Sequence, residues 1–330
     1  MTARFLSEAD VAPFLDMGRV LPAVEAAHRA LTMGEAIDVP RRRVRGGGAM
    51  QHLLQAAWPV RGVMGFKTYT STARGARFWL HLFDADSGAP LAVMEADQIG
   101  IMRTGAAAGL AARALSRPDA AVVGLLGAGR QARGQMLGLT AVRTVRLFKV
   151  YARRANELAE FCVRMAAELG VPVEPAVSAE AAVRDSDIVV TATTSSKPVL
   201  EGGWLADGVH VNAIGSNSLL RRELDEVAVL RAGLVCVDSR DTALLEAGDL
   251  TALMEKGRLA PRELVELGDV LTGRHPGRQD VKQITLFESQ GLAIQDIAVA
   301  AMVLQDAGLS DKLSAAENGS ASHCGQQLPY

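Results

Sequence analysis

Two groups of residues in this 330-residue chain have the types and spacing to do chemistry. The first is Gly127-Ala128-Gly129-Arg130-Gln131-Ala132, which follows the apolar run VVGLL and opens a helical stretch. Gly127 permits a tight turn, Gly129 lets the main chain approach a pyrophosphate, and Ala132 is small enough for the helix to pack closely on its strand. The unpaired N–H groups at the helix start supply a partial positive charge for phosphate. Together these features read as dinucleotide binding. About twenty residues further on, where an acidic side chain would hydrogen-bond a ribose 2′-hydroxyl, the chain has Ala152-Arg153-Arg154. No carboxylate stands there to repel a 2′-phosphate, and Arg153 and Arg154 can clamp one, so the expected cofactor is NADPH, with NADH possible.

The second group is cationic. Lys67 lies in VMGFKTYT, where strand alternation puts Val63, Gly65, Lys67 and Tyr69 on one face and Met64, Phe66, Thr68 and Thr70 on the other. On its own residues Lys67 reads as a solvated edge position, because desolvating an ammonium is costly. Arg103 has Ile99, Ile101, Met102 and a run of alanines around it and is the only charged residue between Asp97 and Arg113. A buried guanidinium needs an anion, and no acid lies near it in sequence, so a ligand carboxylate is expected. The run Arg41-Arg42-Arg43 after Pro40 reads as a solvated loop.

The elements that position these residues fall into two patterns. Up to about residue 96 a capped helical region, with Ser7 and Asp10 as the capping pair, gives way to short strands: HLLQAAW, VMGFKTYT, FWLHLF and PLAVMEA. Asp84 to Gly88 suits a hairpin turn between the last two, and Asp97 starts an Ala-rich helix ending at Arg117-Pro118. Beyond it, apolar strands alternate with amphipathic helices through AAVVGLLG, VRLFKVY, VPVEPAV, DIVVTAT, VHVNAIG and LVCVD, the pattern of a parallel sheet with both faces covered. The expectation is an α/β protein. A Rossmann domain of doubly wound parallel sheet spans 118–300, and a mixed α+β domain spans 1–117, with 301–330 returning to it. The final helix, QDIAVAAMVLQDAGL, is expected to pack on that first domain, and the tail ENGSASHCGQQLPY has loop composition.

Composition narrows the function. With 35 Lys+Arg against 37 Asp+Glu the net charge is −2, and aromatics make up 4%, which leaves no basic footprint or stacking platform for nucleic acid. No run reaches the length of about 18 apolar residues needed for a membrane span, and nothing reads as a targeting segment. The three cysteines, Cys162, Cys236 and Cys324, are scattered, which fits neither a disulfide framework nor a metal site and suits a reducing cytoplasm.

The blocks VPRR, GFKTYT, ADQIGIMRTGAAAGLAA, GLLGAGRQA, VNAIGSNSLLRRELD and GLAIQD, in that order, resemble the ornithine cyclodeaminase/μ-crystallin family over nearly the whole chain. The resemblance implies a Rossmann domain, a second domain whose sheet builds a homodimer, a nicotinamide cofactor, and small α-amino or α-imino acid substrates. By position, Arg42, Lys67 and Arg103 match the family's carboxylate-binding and catalytic cations, and Thr193, Asn217 and Gly291 match residues beside the nicotinamide. Asp296, in the last of these blocks, reads equally as a second-layer partner or as a helix-surface or cap acid.

One departure separates the activities. Asn217 stands where cyclodeaminases and related alanine dehydrogenases carry an Asp, and an amide cannot take a proton from an ammonium. The reading is therefore a reductase of cyclic ketimino acids, 1-pyrroline-2-carboxylate or 1-piperideine-2-carboxylate, giving proline or pipecolate. Two alternatives stand beside it. One is ornithine cyclisation or amino-acid dehydrogenation, with Glu223 or Asp225 as the base. The other is NADPH-dependent binding of a small ligand such as a thyroid hormone, without catalysis.

Overall fold

The computed structural model describes residues 3–309, so the tail ENGSASHCGQQLPY and Cys324 lie outside the described residues. Two sheets organise the chain. The first contains β1 (Arg4–Leu6), β2 (Ile37–Gly46), β3 (Ala49–Trp58), β4 (Val63–Thr72), β5 (Gly75–Asp84) and β6 (Pro90–Glu95), in the order β1-β6-β5-β4-β3-β2. Every pairing is antiparallel except β1 on β6. Alternation along β4 and β5 sends Val63, Gly65, Lys67, Leu80 and Leu82 to a buried face. Against that face lies the helix Ala293–Asp306, which also packs on the helix Met17–Met33. The Ser7–Asp10 pair forms as expected, Ser7 N–H donating to the Asp10 carboxylate at 2.9 Å.

The arginine run is not a loop. Arg41-Arg42-Arg43 belongs to β2, paired with β3, and the register shifts between Val39 and Arg42 so that Pro40 and Arg41 together face Leu54. Such a bulge re-aims a side chain, and Pro40, with no N–H to give the ladder, is suited to it. As a result Arg41 turns inward and is buried, while Arg42 and Arg43 are exposed.

The second sheet contains β7 (Val122–Leu126), β8 (Leu147–Tyr151), β9 (Val173–Pro175), β10 (Ile188–Thr191), β11 (His210–Ala213), β12 (Leu234–Val237), β13 (Val265–Glu266) and β14 (Thr285–Glu288). It is parallel throughout, in the order β13-β12-β14-β11-β10-β7-β8-β9. Strand order reverses between β7 and β10, the switch point at which doubly wound sheets open a ligand crevice beyond their carboxyl ends. β13 and β14 were not expected. Past β14 the chain leaves this sheet, and the helix Ala293–Asp306 packs on β3, β4 and β5 of the first one.

A close helix contact joins the two layer systems. The helix Asp97–Leu115 packs along Arg130–Thr140 through Gly105 and Gly109 on one and Gly134 and Gly138 on the other. A Cβ at Gly105 would overlap the main chain of Gly134. The phosphate-turn helix is therefore locked against the helix that carries Arg103. No helix among the described residues is long and apolar enough to cross a membrane.

Candidate active site

The switch-point crevice and the buried face of the first sheet open on a common cavity of about 340 Å³. Of the expected site residues, Lys67, Arg103, Gly129, Arg130, Gln131, Thr193, Asn217 and Gly291 line it. Gly127 makes the turn at φ +112°, where a Cβ would press on the Ala192 carbonyl at 2.6 Å, and Ala132 is sealed in the helix–sheet contact. Ala128 continues that turn between Gly127 and Gly129. Nothing lies within 4 Å of the position a Gly129 Cβ would take, so there the main chain faces open space at a helix start. Those N–H groups are free to meet a diphosphate, and the residues present fit a dinucleotide.

Arg153 and Arg154 lie past the end of β8, exposed and outside the cavity wall. Arg154 is the residue before the helix Ala155–Leu169 and pairs with Glu157 at 2.6 Å.

Arg42 does not reach the cavity. Arg41 takes its place, and the reason is the bulge described above. Arg41 is 8% exposed, and its guanidinium donates to Glu246 at 2.8 Å and to the Gln290 carbonyl at 2.9 Å. Exposed Arg43 also pairs with Glu246, at 3.1 Å, and donates to the Asn217 carbonyl at 2.8 Å.

Lys67 is not a solvated edge residue. β4 is an interior strand of its sheet, and Lys67 is 3% exposed. Its Nζ donates to Asp296 Oδ1 at 2.7 Å and lies 5.3 Å from the Phe78 ring centre. Arg103 shares the same carboxylate oxygen through Nε at 3.2 Å and donates through Nη1 to Gln295 at 2.8 Å. The sequence expectation of cations without an acidic partner is thereby corrected: Asp296, in the first turn of the Ala293–Asp306 helix, is fully buried between them. Asp296 and Glu246 offset two of the three buried cations, Arg41, Lys67 and Arg103, and leave a net positive wall.

Burial is the main reason the Lys67 ammonium is lowered to about 8; Asp296 pulls it back up, and Arg103 pushes it down. Burial alone would raise Asp296, but Arg103 and Lys67 outweigh it and hold the carboxyl below its ordinary value. At Gly291 φ is +80°, and a Cβ would land on the Arg103 guanidinium, so glycine is what lets the chain pass this close. Tyr69, Phe78 and Leu54 complete the wall on the sheet side.

The two substitute bases considered for Asn217 are both committed elsewhere. Glu223 is buried behind Thr193 and Gly215, and Asp225 caps the helix Glu226–Arg231, accepting the Ala228 N–H at 2.8 Å. Among the described residues no cluster of three or more His, Cys, Asp or Glu is arranged to hold a metal ion.

Comparison with known proteins adds a lineage to this geometry. The chain is 35% identical over 227 residues to a Delta(1)-pyrroline-2-carboxylate reductase of Bacillus cereus, covering 68% of this chain and 70% of that one. It superposes with a TM-score of 0.89, at 31% identity, on the Thermococcus litoralis Delta(1)-pyrroline-2-carboxylate reductase in complex with NADH and L-proline, covering 92% of this chain and 98% of that one. An archaeal alanine dehydrogenase dimer with bound NAD superposes with a TM-score of 0.87 at 31% identity, covering 93% and 96%. The family profile matches residues 1–310, and with the blocks and the fold in agreement the chain belongs to the ornithine cyclodeaminase/mu-crystallin family.

Proposed function

We propose that the protein is an NADPH-dependent reductase of cyclic ketimino acids, converting 1-pyrroline-2-carboxylate or 1-piperideine-2-carboxylate to L-proline or L-pipecolate. The observation that carries this reading is the meeting of Lys67 and Arg103 with the Gly129 turn in one cavity. Relatives named for pyrroline-2-carboxylate reduction, one of them solved with NADH and proline, support it. When bound, the coenzyme supplies a hydride to the imine carbon; the remaining work belongs to the chain.

Arg103, held by Asp296 and Gln295, keeps Nη2 for the substrate carboxylate, and Arg41 lines the same cavity. Holding the carboxylate fixes the imine carbon at a near-attack distance from the coenzyme, which is where most of the acceleration arises. Lys67, with a pKa of about 8, is a proton donor to the imine nitrogen at neutral pH, and protonation makes the carbon the better hydride acceptor. The Phe78 ring beside Nζ and the Leu54 side chain keep water from this corner.

The 2′-phosphate is assigned to Arg153 and Arg154, whose exposed guanidinium groups carry the preference for NADPH. Assembly as a homodimer is supported by the outer face of the first sheet, where Phe66 stacks on His81 at 4.5 Å and Phe5 is 61% exposed. The buried free thiols of Cys162 and Cys236 suit a reducing cytoplasm.

Cyclodeamination is disfavoured because neither Glu223 nor Asp225 faces the cavity to replace the acid absent at Asn217. The deciding experiment follows NADPH oxidation with a panel of cyclic imines and, in parallel, ammonia release from ornithine with NAD. Imine reduction with little ammonia is expected. The opposite pattern would assign the cyclodeaminase reaction, and tight hormone binding with no imine turnover would assign a binding protein.

A further inference from the structure

Strands β10 and β11 end at Thr191 and Ala213, and Thr193 and Gly215 beyond them line the cavity. Directly behind these two residues sits Glu223, 0% exposed. One carboxylate oxygen accepts the Thr193 N–H at 2.6 Å, and the other accepts the Gly215 N–H at 2.6 Å and the Thr191 hydroxyl at 2.9 Å. The two main-chain partners can only donate, one to each carboxylate oxygen, and such short N–H bonds favour the ionised form, although burial raises its pKa. Among the described residues no Lys, Arg or His forms an ion pair with it. Burial also pushes the neighbouring Asp249 up to about 7 and Glu288 well above its ordinary value. Hydrogen bonds offset the cost of burying this anion, and a positive charge developing opposite it would offset that cost further.

We propose that Glu223 is a fixed anion that stabilises the positive charge of the oxidised nicotinamide, acting across the main chain of Thr193 and Gly215. The inference rests on the proposed reductase and on the place beside the nicotinamide that the family resemblance implies for Thr193; Gly215 lines the same cavity. A bound nicotinamide would supply the hydride for the imine carbon while Lys67 gives the imine nitrogen its proton; the oxidised ring would then carry a positive charge, whose cost Glu223 would lower without reorganising, because three hydrogen bonds already hold it. Glu223 is thus a positioning residue with an electrostatic role, and its signature is a preference between the two coenzyme forms.

The test measures the dissociation constants of NADP⁺ and NADPH for the whole protein without substrate, in wild type and in Glu223→Gln. The ratio of the NADP⁺ constant to the NADPH constant is expected to rise about tenfold in the variant. Equal weakening of both forms overturns the proposal, since it would make Glu223 only a clamp on the two loops. Thr191→Val removes a hydrogen bond but no charge and is expected to leave the ratio unchanged; a rise matching that of Glu223→Gln also overturns it. Should Glu223→Gln not fold, Glu223→Asp draws the charge back by one methylene and is expected to raise the ratio about threefold, and an unchanged ratio counts against the proposal. Failure of the wild type to bind either form would instead overturn the reading on which it rests.

Discussion

Asp296→Asn removes the anion in contact with Lys67 and keeps the side chain's size. Both partners are buried and 2.7 Å apart, so solvent screens them little. An opposite charge at contact moves a pKa by about 1–3 units. Taking about 1.5 units, the Lys67 pKa falls from about 8 to roughly 6.5. At pH 8 about half the wild-type lysines then carry a proton, against about 3% in the variant, a roughly 15-fold loss of donor; at about pH 6 the two differ by less than about 1.5-fold. The sign follows from the role: a proton donor is needed in its charged form, so the alkaline limb of kcat/KM moves to lower pH. The assay is kcat/KM for 1-pyrroline-2-carboxylate at saturating NADPH from about pH 5.5 to about 9.5. Any limb belonging to the substrate imine is common to both proteins, so only the displacement reports on Lys67. Leaving Lys67 and Arg103 uncompensated also costs about 3–5 kcal/mol of stability, so the comparison belongs well below the melting temperature. A uniform loss at every pH, or an unmoved limb, would refute the reasoning and reduce Asp296 to a packing residue.

Other consequences separate neighbouring residues or neighbouring explanations. Arg41→Met is expected to lower kcat/KM by about 100-fold, chiefly through KM, while exposed Arg42→Ala changes it by less than about threefold; the reverse order would return the substrate carboxylate to Arg42. Changing Arg153 and Arg154 together to Ala is expected to raise KM for NADPH at least about tenfold and to spare NADH, since each charge-assisted bond contributes about 1.5–3 kcal/mol. Equal effects on both coenzymes would detach these side chains from the 2′-phosphate. Gly105→Ala is expected to cost about 1–3 kcal/mol in denaturant unfolding, because its methyl meets the Gly134 main chain. An unchanged midpoint would mean that the two helices have room to part.

The parts of the molecule most legible in sequence were those governed by local rules. The strand–turn–helix at Gly127 to Ala132 carries its own geometry, and alternation in VMGFKTYT correctly placed Lys67 and Tyr69 on the same face. The run Arg41-Arg42-Arg43 reads as a loop in sequence because nothing local shows its pairing with β3, and it is that pairing, with a bulge at Pro40 and Arg41, that decides which arginine turns inward. The partners of Lys67 and Arg103 were hidden for a different reason. Asp296 and Gln295 lie far along the chain, and only the fold brings the Ala293–Asp306 helix against β4. Glu246, which holds both Arg41 and Arg43, gave no local signal at all. The strands β13 and β14 gave no apolar run to read: β13 has two residues, and β14 has four with polar Thr285 and Glu288 at its ends.

The most direct measurement follows the label from NADPH carrying deuterium at C4, incubated with 1-pyrroline-2-carboxylate and either the wild type or Lys67→Met. The account predicts deuterium at Cα of L-proline with the wild type, and, with Lys67→Met, NADPH binding retained but little labelled product. Unlabelled proline, no coenzyme consumption with any cyclic imine, or full turnover without Lys67 would contradict it.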